Sequence, residues 1–409
     1  MDLETIIETC YKDTLPNKRR SSDSVLFETH IERNLVKLCD DINNHTLQPS
    51  AYSFIVMKPK PREVFAGDVS LRICQHYIQK NILPHLEERL IPFTFSNRKG
   101  MGSQAAVNNV ISDIYKVSRG FTSDNCWIIK LDMQGYFPNA SQDIAYRQFE
   151  KLALECDTPY KDDLLYMLQV SAFSYPTLHG VRRSNLSEWK FIDPAKSLYN
   201  KPLGQGAVIG HLFWQLAMIF YINDIEVWLV YECRQYITVY MDDITIITAN
   251  KEVTLSLIPE LRRRLAAISV TLHPKKFYCQ HYKKGVEFVG YHIKMDRVYI
   301  NNRCRRNALR RIKTFNRHIS ERNIDSFVST VNSYLGRYKT VNGYTLVCEL
   351  LKKINPAWWT YIEYDKERIC VHPRKDYTYR QRIINRYNLQ DYEKRRNRKR
   401  NQQGKPENP

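Results

Sequence analysis

Apolar and polar positions follow two rhythms along this chain, and the changes of rhythm mark its elements. Residues 1–50 mix charge with apolar positions at helical spacing, Leu35, Leu38 and Ile42 among them, and predict surface helices. From Tyr52 the pattern becomes an apolar run, SFIVM, that passes into Lys58-Pro59-Lys60-Pro61-Arg62-Glu63-Val64. Two prolines among three cations predict a strand that ends in a basic turn. Helical spacing returns over 69–90 through Ile73, Tyr77, Ile82 and Leu83. The segment NRKGMGSQAAVNNV, from Asn97, predicts a basic, glycine-containing loop that opens a helix, where backbone N–H groups can hold a phosphate.

Further along, runs rich in Ile, Val and Thr carry few charges. CWIIKLD, 126–132, predicts a short strand ending on an aspartate, and TVYMDDITIIT, 238–248, predicts a hairpin with two adjacent aspartates at its turn. VEFVGYHI, 286–293, predicts another strand pair. The longest apolar stretch, 207–222, is interrupted by His211 and Gln215 and is shorter than the roughly 18 residues a membrane helix needs, so it predicts a buried helix. After residue 303, Leu309, Ile312, Phe315 and Ile319 recur at helical spacing, with Arg306, Arg310, Lys313 and Arg317 between them. This is an apolar stripe on a helix whose other face is basic. From about residue 373 Arg, Tyr and Asn dominate, which predicts a partly unstructured end.

Composition narrows the class. With 409 residues, 43% apolar and 12% aromatic, the chain can bury a sizeable core, which excludes wholesale disorder and suits two or three domains. Sixty-two Lys and Arg against 43 Asp and Glu give a formal charge of +19, which favours a polyanionic partner, nucleic acid before membrane. The run KRRNRKR at 394–400 holds only part of that excess. The ten cysteines lack the C-x2-C spacing of a zinc site and the density of a disulfide scaffold, and the acidic start MDLETIIETCYKD is unlike a signal peptide. Together these predict a cytoplasmic protein with free thiols.

The acids supply the chemistry. Asp132 and the pair Asp242-Asp243 can converge if their strands are neighbours in one sheet. Gathered carboxylates repel one another unless cations neutralise them, and hard oxygen donors suit Mg²⁺. Two such ions form the clamp used for in-line phosphoryl transfer. An isolated Asp-Asp pair is ordinarily a solvated turn. Here the strands are nearly free of other charge, a third acid follows a matching strand and the chain is basic, which argues for the clamp.

These residues carry a family resemblance. Tyr240-Met241-Asp242-Asp243 resembles the YxDD box of reverse transcriptases, and LDMQGYFPNAS, 131–141, resembles the segment bearing their other catalytic aspartate. In the same order, KPREVFAGDVSLR (60–72) and SNRKGMGSQAAV (96–107) resemble the fingers motifs. AVIGHLFWQLAMIFYINDIE (207–226) is similar to the segment before the YxDD box, and LHPKKFYCQHYKKGVEFVGYHI (272–293) resembles the last palm motifs. The phrases LHPKK…Q…KGV and SYLG resemble bacterial retroelement enzymes, both diversity-generating and unknown-group, phage-defence reverse transcriptases. Ile209, Gly210 and Gln215 match the diversity-generating pattern, whereas Trp214 stands where serine is usual. An indole expected beside the nascent base pair favours the defence-type relatives.

The resemblance implies an α+β right-hand polymerase with helical/β fingers, an antiparallel-sheet palm and a helical thumb. Its expected divisions are an N-terminal helical extension at 1–50, fingers at 51–120 and a palm at 121–300 with a finger-like insertion near 157–200. A thumb at 301–365 and a basic tail at 366–409 complete them. Asp132, Asp242 and Asp243, with the Met133 carbonyl, are implied to hold two Mg²⁺ ions, for which Mn²⁺ can substitute. Lys276 is implied as the acid for the leaving pyrophosphate, with Lys275 beside it. Lys58, Lys60 and Arg62 are implied to bind the triphosphate. Phe137, or Tyr136 if the register slips by one, is implied to pack under the sugar and exclude a 2′-hydroxyl, and Ile209, Gly210 and Gln215 complete the nucleotide pocket. Arg98 and Lys99, Gly290 as primer grip, and Arg306, Arg310, Lys313 and Arg317 on the thumb are the implied nucleic-acid contacts.

The implied partners are a structured non-coding RNA template, a DNA product and dNTPs, together with a second reverse transcriptase, a small basic accessory protein or further copies of the chain. No membrane is expected. Diversification through mutagenic cDNA, RNA-templated RNA synthesis and a catalytically silent RNA-binding scaffold are the rival functions.

Overall fold

In the structure, a computed structural model, residues 2–16, 21–58 and 60–374 are described, without the side chains of 275 and 276. The basic run at 394–400 lies outside the described residues. The chain divides into two compact units between Lys284 and Gly285. The fold is α+β, with every multi-strand ladder antiparallel except one short parallel pairing.

The first unit opens with helices Leu3–Thr14, Ser22–Glu28 and Ile31–Asn43, followed by strands β1 (Ala51–Val56) and β2 (Arg62–Gly67). The predicted strand ending in a basic turn is the first arm of this hairpin, whose connection carries Lys58 and Lys60. Expected at the surface, the first and third helices bury Ile7, Cys10, Leu38 and Ile42, because helix Leu3–Thr14 packs on helix Val69–Arg89. Asp68 caps that long helix by accepting from Leu71 N, and it also accepts from Ser50 N. Arg72 Nε donates to the Asp68 main-chain carbonyl at 3.3 Å.

The central sheet is built from β3 (Trp127–Gln134), β5 (Tyr236–Tyr240), β6 (Asp243–Thr248) and β7 (Thr271–His281), in the order β5-β6-β3-β7; β4 (Val181–Arg182) adds to β1 instead. Ile129, Leu131, Val239, Ile244 and Ile246 are buried, which is why these strands read as nearly uncharged runs. Helix Ser103–Val117 is tied to β5 by Asn109 Nδ2, which donates to Thr238 Oγ1 at 2.8 Å. The apolar stretch Leu212–Glu232 is long and apolar enough to cross a membrane by length and composition alone, but 78% of its most apolar 18 residues are buried inside the protein.

The second unit holds the sheet β8 (Val286–Phe288), β9 (Tyr291–Lys294) and β10 (Arg297–Ile300), then helices Asn302–Phe315, Ile324–Lys339 and Tyr344–Lys352, and the hairpin β11 (Ile362–Asp365) and β12 (Cys370–Pro373). Its core gathers Ala308, Ile312, Phe327, Leu335 and Trp358. The division places VEFVGYHI with the helical segment, not with the four-stranded sheet, and so falls inside the stretch 121–300 that the sequence assigns to one palm.

Candidate active site

The acids meet at one end of the central sheet. β3 and β6 are antiparallel neighbours in which Asp132 pairs directly with Asp243, so both side chains leave the same face. β5 and β6 are joined by a two-residue turn, Met241-Asp242, closed by the pair Tyr240 and Asp243. Met241 has φ 57° and Asp242 is not left-handed, the sign pattern of a type II′ hairpin turn, in which glycine ordinarily takes the first place. A methionine persists there because the turn is held from outside. Met133 N donates to Asp242 O at 3.3 Å, and Met241 N donates to Ser96 Oγ at 3.2 Å.

The segment 93–98 acts as a brace on β5. Val239 N donates to Phe93 O at 2.9 Å and Phe95 N to Val239 O at 3.0 Å. Arg98 fixes this brace: it donates to Glu87 at 2.8 Å, to Ile91 O at 2.8 Å and to Thr94 O at 3.0 Å, with its side chain only 8% exposed. Thr94 Oγ1 in turn donates to the fully buried Glu226 at 2.5 Å. Burial pushes the Glu226 carboxyl up to about 7, against the opposing pull of the Thr94 hydrogen bond and the Arg98 charge.

Lys130, two residues before Asp132 and on the same face of β3, lies diagonally across from Asp243, with Nζ 3.3 Å from Oδ2. An ammonium thus stands where a carboxylate cluster calls for positive charge. The donor chemistry of Asp132, Asp242, Asp243 and the Met133 carbonyl suits a hard divalent ion. Among the described residues no three His, Cys, Asp or Glu side chains are drawn together closely enough to form a finished metal site.

A family model described as reverse transcriptase (RNA-dependent DNA polymerase) matches residues 58–293, more than half of the chain, and spans both acid-bearing strands. The chain belongs to the reverse transcriptase family. Members of this family generally use divalent metal ions, typically Mg²⁺. No curated protein matches it in sequence. Three solved telomerases are similar in structure, each at 12% identity. One, from Candida albicans with a TWJ fragment of telomeric RNA, has a TM-score of 0.42 and covers 75% of this chain and 60% of its own. Apo telomerase from Candida tropicalis gives 0.42, with 76% and 60% covered, and a version truncated of its C-terminal domain gives 0.41, with 62% and 55%. This reverse transcriptase therefore spans about three-fifths of the length of those chains.

The other predicted residues of this reverse transcriptase fall into two groups. Lys58, Lys60 and Arg62 are exposed at the β1–β2 tip, and Lys99 is exposed in its loop. Phe137 is half-buried and follows the turn at Gly135, φ 62°, that ends β3. Gly210 and Gln215 are exposed and line a cleft of about 240 Å³ with Thr14, Arg72 and Gln75, while the Ile209 carbonyl is taken by Phe65 N at 2.7 Å. In the second unit Arg306, Arg310, Lys313 and Arg317 are exposed on helix Asn302–Phe315 and just beyond it. Gly290 has φ 89°, so the backbone conformation itself favours glycine, while the nearest atom to a Cβ there, Arg337 Nη1 at 2.7 Å, is the mobile end of a side chain. Lys276 lies on β7, but its side chain is outside the described residues.

Three expectations are corrected. Arg98 is a buried brace and not a surface contact for nucleic acid, because Glu87 and two carbonyls neutralise and bind it. Tyr136 is 2% exposed and donates to Met218 O at 2.6 Å, which leaves Phe137 as the aromatic at this turn with exposed surface. Trp214 is 1% exposed and packs edge-on to Phe213 at 5.1 Å, so the indole lies in the core and not in a pocket. Lys130, Ser96 and the brace on β5 were not singled out in the sequence. A lysine at i−2 from a strand-end acid was the one signal available for Lys130.

Proposed function

We propose that this chain is an RNA-directed DNA polymerase that extends a primer 3′-hydroxyl with dNTPs on a structured RNA template. The observation that carries the reading is the direct pairing of Asp132 with Asp243 on adjoining strands, with Asp242 in a turn tied back to Met133. Divalent ions held by Asp132, Asp242, Asp243 and the Met133 carbonyl supply Lewis acidity to the attacking and leaving oxygens when bound. Arg62 grips the triphosphate as a fork, and Lys58 and Lys60 act as point charges. Phe137 lies under the sugar and leaves no room for a 2′-hydroxyl, which selects dNTPs. Lys276 donates a proton to the departing pyrophosphate. The exposed cations from Arg306 to Arg317 follow duplex phosphates without reading sequence.

Purified protein with Mg²⁺, primer-template and dNTPs is expected to incorporate nucleotide, and Asp242→Ala to abolish incorporation. Absence of synthesis in both, with tight and strongly salt-dependent RNA binding, identifies the silent scaffold instead.

In the cell we propose an antiphage role with a dedicated non-coding RNA and an accessory protein or second polymerase as partner. That role rests on the sequence phrases shared with defence enzymes, since Trp214, buried in the core, bears on neither alternative. Sequencing the nucleic acid that copurifies decides it: homopolymer or short-repeat DNA supports defence, and adenine-mutated copies of a repeat support diversification.

A further inference from the structure

Residues 180–210 contain little regular structure, yet they touch both the fingers hairpin and the loop that follows Asp132. At the hairpin, β4 lies parallel to β1, Arg183 N donates to Ser53 O at 2.8 Å, and Ile55 N donates to Ser184 Oγ at 3.1 Å. Glu63 on β2 is 6% exposed, and its carboxylate receives three hydrogen bonds from this segment: Trp189 Nε1 at 2.7 Å, Ser197 Oγ at 2.8 Å and Leu198 N at 2.7 Å. The Arg182 guanidinium sits 3.7 Å from the Tyr199 ring centre. Further along, Phe65 N donates to Ile209 O, and Gly210 lies so close to β2 that a Cβ would stand 2.2 Å from Phe65 O.

The same segment holds the turn after β3. Ala207 N donates to Phe137 O at 2.8 Å and Gly206 N to Ala140 O at 2.7 Å. Lys201 Nζ donates to Asn139 Oδ1 at 2.8 Å, and Gln142 Nε2 to Gly206 O at 3.0 Å.

We propose that residues 181–210 form a strap that fixes the fingers cations relative to the Asp132–Phe137 turn, with Glu63 as the positioning residue that seats it and dNTP affinity as the property it governs. The inference rests on the reading that Lys58, Lys60 and Arg62 receive the triphosphate. A two-stranded hairpin is marginal alone. Held on both edges, it presents its cations in one arrangement, and less ordering remains to be done when the nucleotide binds. Glu63 suits the task because a carboxylate only accepts, and both of its oxygens face donors. A glutamine there sets its own N–H₂ against either Trp189 N–H or the Leu198 amide.

The test uses the full chain on a primer-template ending in a dideoxynucleotide, so that dNTP affinity is read at equilibrium without chemistry, with kcat and KM measured separately on an extendable primer. Glu63→Gln is expected to weaken dNTP binding about tenfold while kcat and primer-template affinity change little. Trp189→Phe, which removes one donor and keeps the ring, is expected to weaken it by a smaller factor and decides the matter if Glu63→Gln does not fold. In an Arg62→Ala background the Glu63→Gln effect is expected to shrink, since both act through one hairpin. If Arg62→Ala weakens dNTP binding but neither strap variant does, and the variants only melt earlier, the strap is a structural element alone and the inference is overturned. If Arg62→Ala has no effect, the reading of the fingers cations fails first.

Discussion

Arg98 offers the sharpest test because its two readings predict opposite observables. As a surface cation it would contribute to RNA affinity and nothing to stability. As the buried brace seen here it does the reverse. Arg98→Ala removes three donors from Glu87, Ile91 O and Thr94 O. Breaking a buried pair by deleting one partner costs about 3–5 kcal/mol. Glu87 is 35% exposed and can recover water, so we take the lower part of that range, about 3 kcal/mol. With an m-value of about 3 kcal/mol/M in urea, the unfolding midpoint of the first unit should fall by about 1 M. Arg98→Lys keeps the charge but not the fork and should fall between. Because the brace carries Ser96 to the Met241 amide, polymerase activity should fall along with stability. The slope of RNA affinity against salt should stay that of the wild type. An unchanged midpoint with a slope reduced by about one phosphate contact would refute the brace.

Four further outcomes follow from the same geometry. Glu226 has a folded-state pKa of about 7 against 4.5 unfolded, so the native state binds more protons between those values and stability falls as pH rises through that window, by at most about 3 kcal/mol. Glu226→Gln should therefore match wild type in urea melts near pH 4 and exceed it near pH 8; equal midpoints at pH 8 would show that the carboxyl ionises without penalty. Asp132→Asn or Asp242→Asn should reduce primer extension by at least about a thousandfold with the fold retained, and chelation should abolish wild-type activity until Mg²⁺ is restored. Phe137→Ala should raise rNTP incorporation relative to dNTP by about tenfold or more, whereas Tyr136→Phe, which loses only its bond to Met218 O, should leave sugar choice unchanged and cost about 1 kcal/mol of stability. Arg306→Ala with Arg310→Ala should lower the salt slope of duplex binding by about two for every sequence tried.

What the sequence discloses and what it hides divide along a physical line. The acid hairpin was legible because its determinants are local: a nearly uncharged strand, two residues at a turn, another strand of the same kind. Asp132 joined it through a pattern of equal clarity seven residues long. Arg98 was not legible, because NRKG has the composition of a solvated loop, and only the fold shows that Glu87 and the carbonyls of residues 91 and 94 surround its guanidinium. Trp214 misled for the converse reason: its place in a motif said which residues precede the turn, while the side-chain direction was set by packing against Phe213. The contacts of the strap were all but invisible to sequence reading. Its regular pieces are a strand of two residues and 3-10 segments of one or two turns at Leu186–Phe191, Pro194–Lys196 and Leu198–Asn200, too short for any period to show. Its one sequence signal is Glu63, an acid on the same alternating set as Phe65. An acid on an inward strand position needs donors, and here they come from residues more than a hundred positions away, beyond the reach of any local pattern.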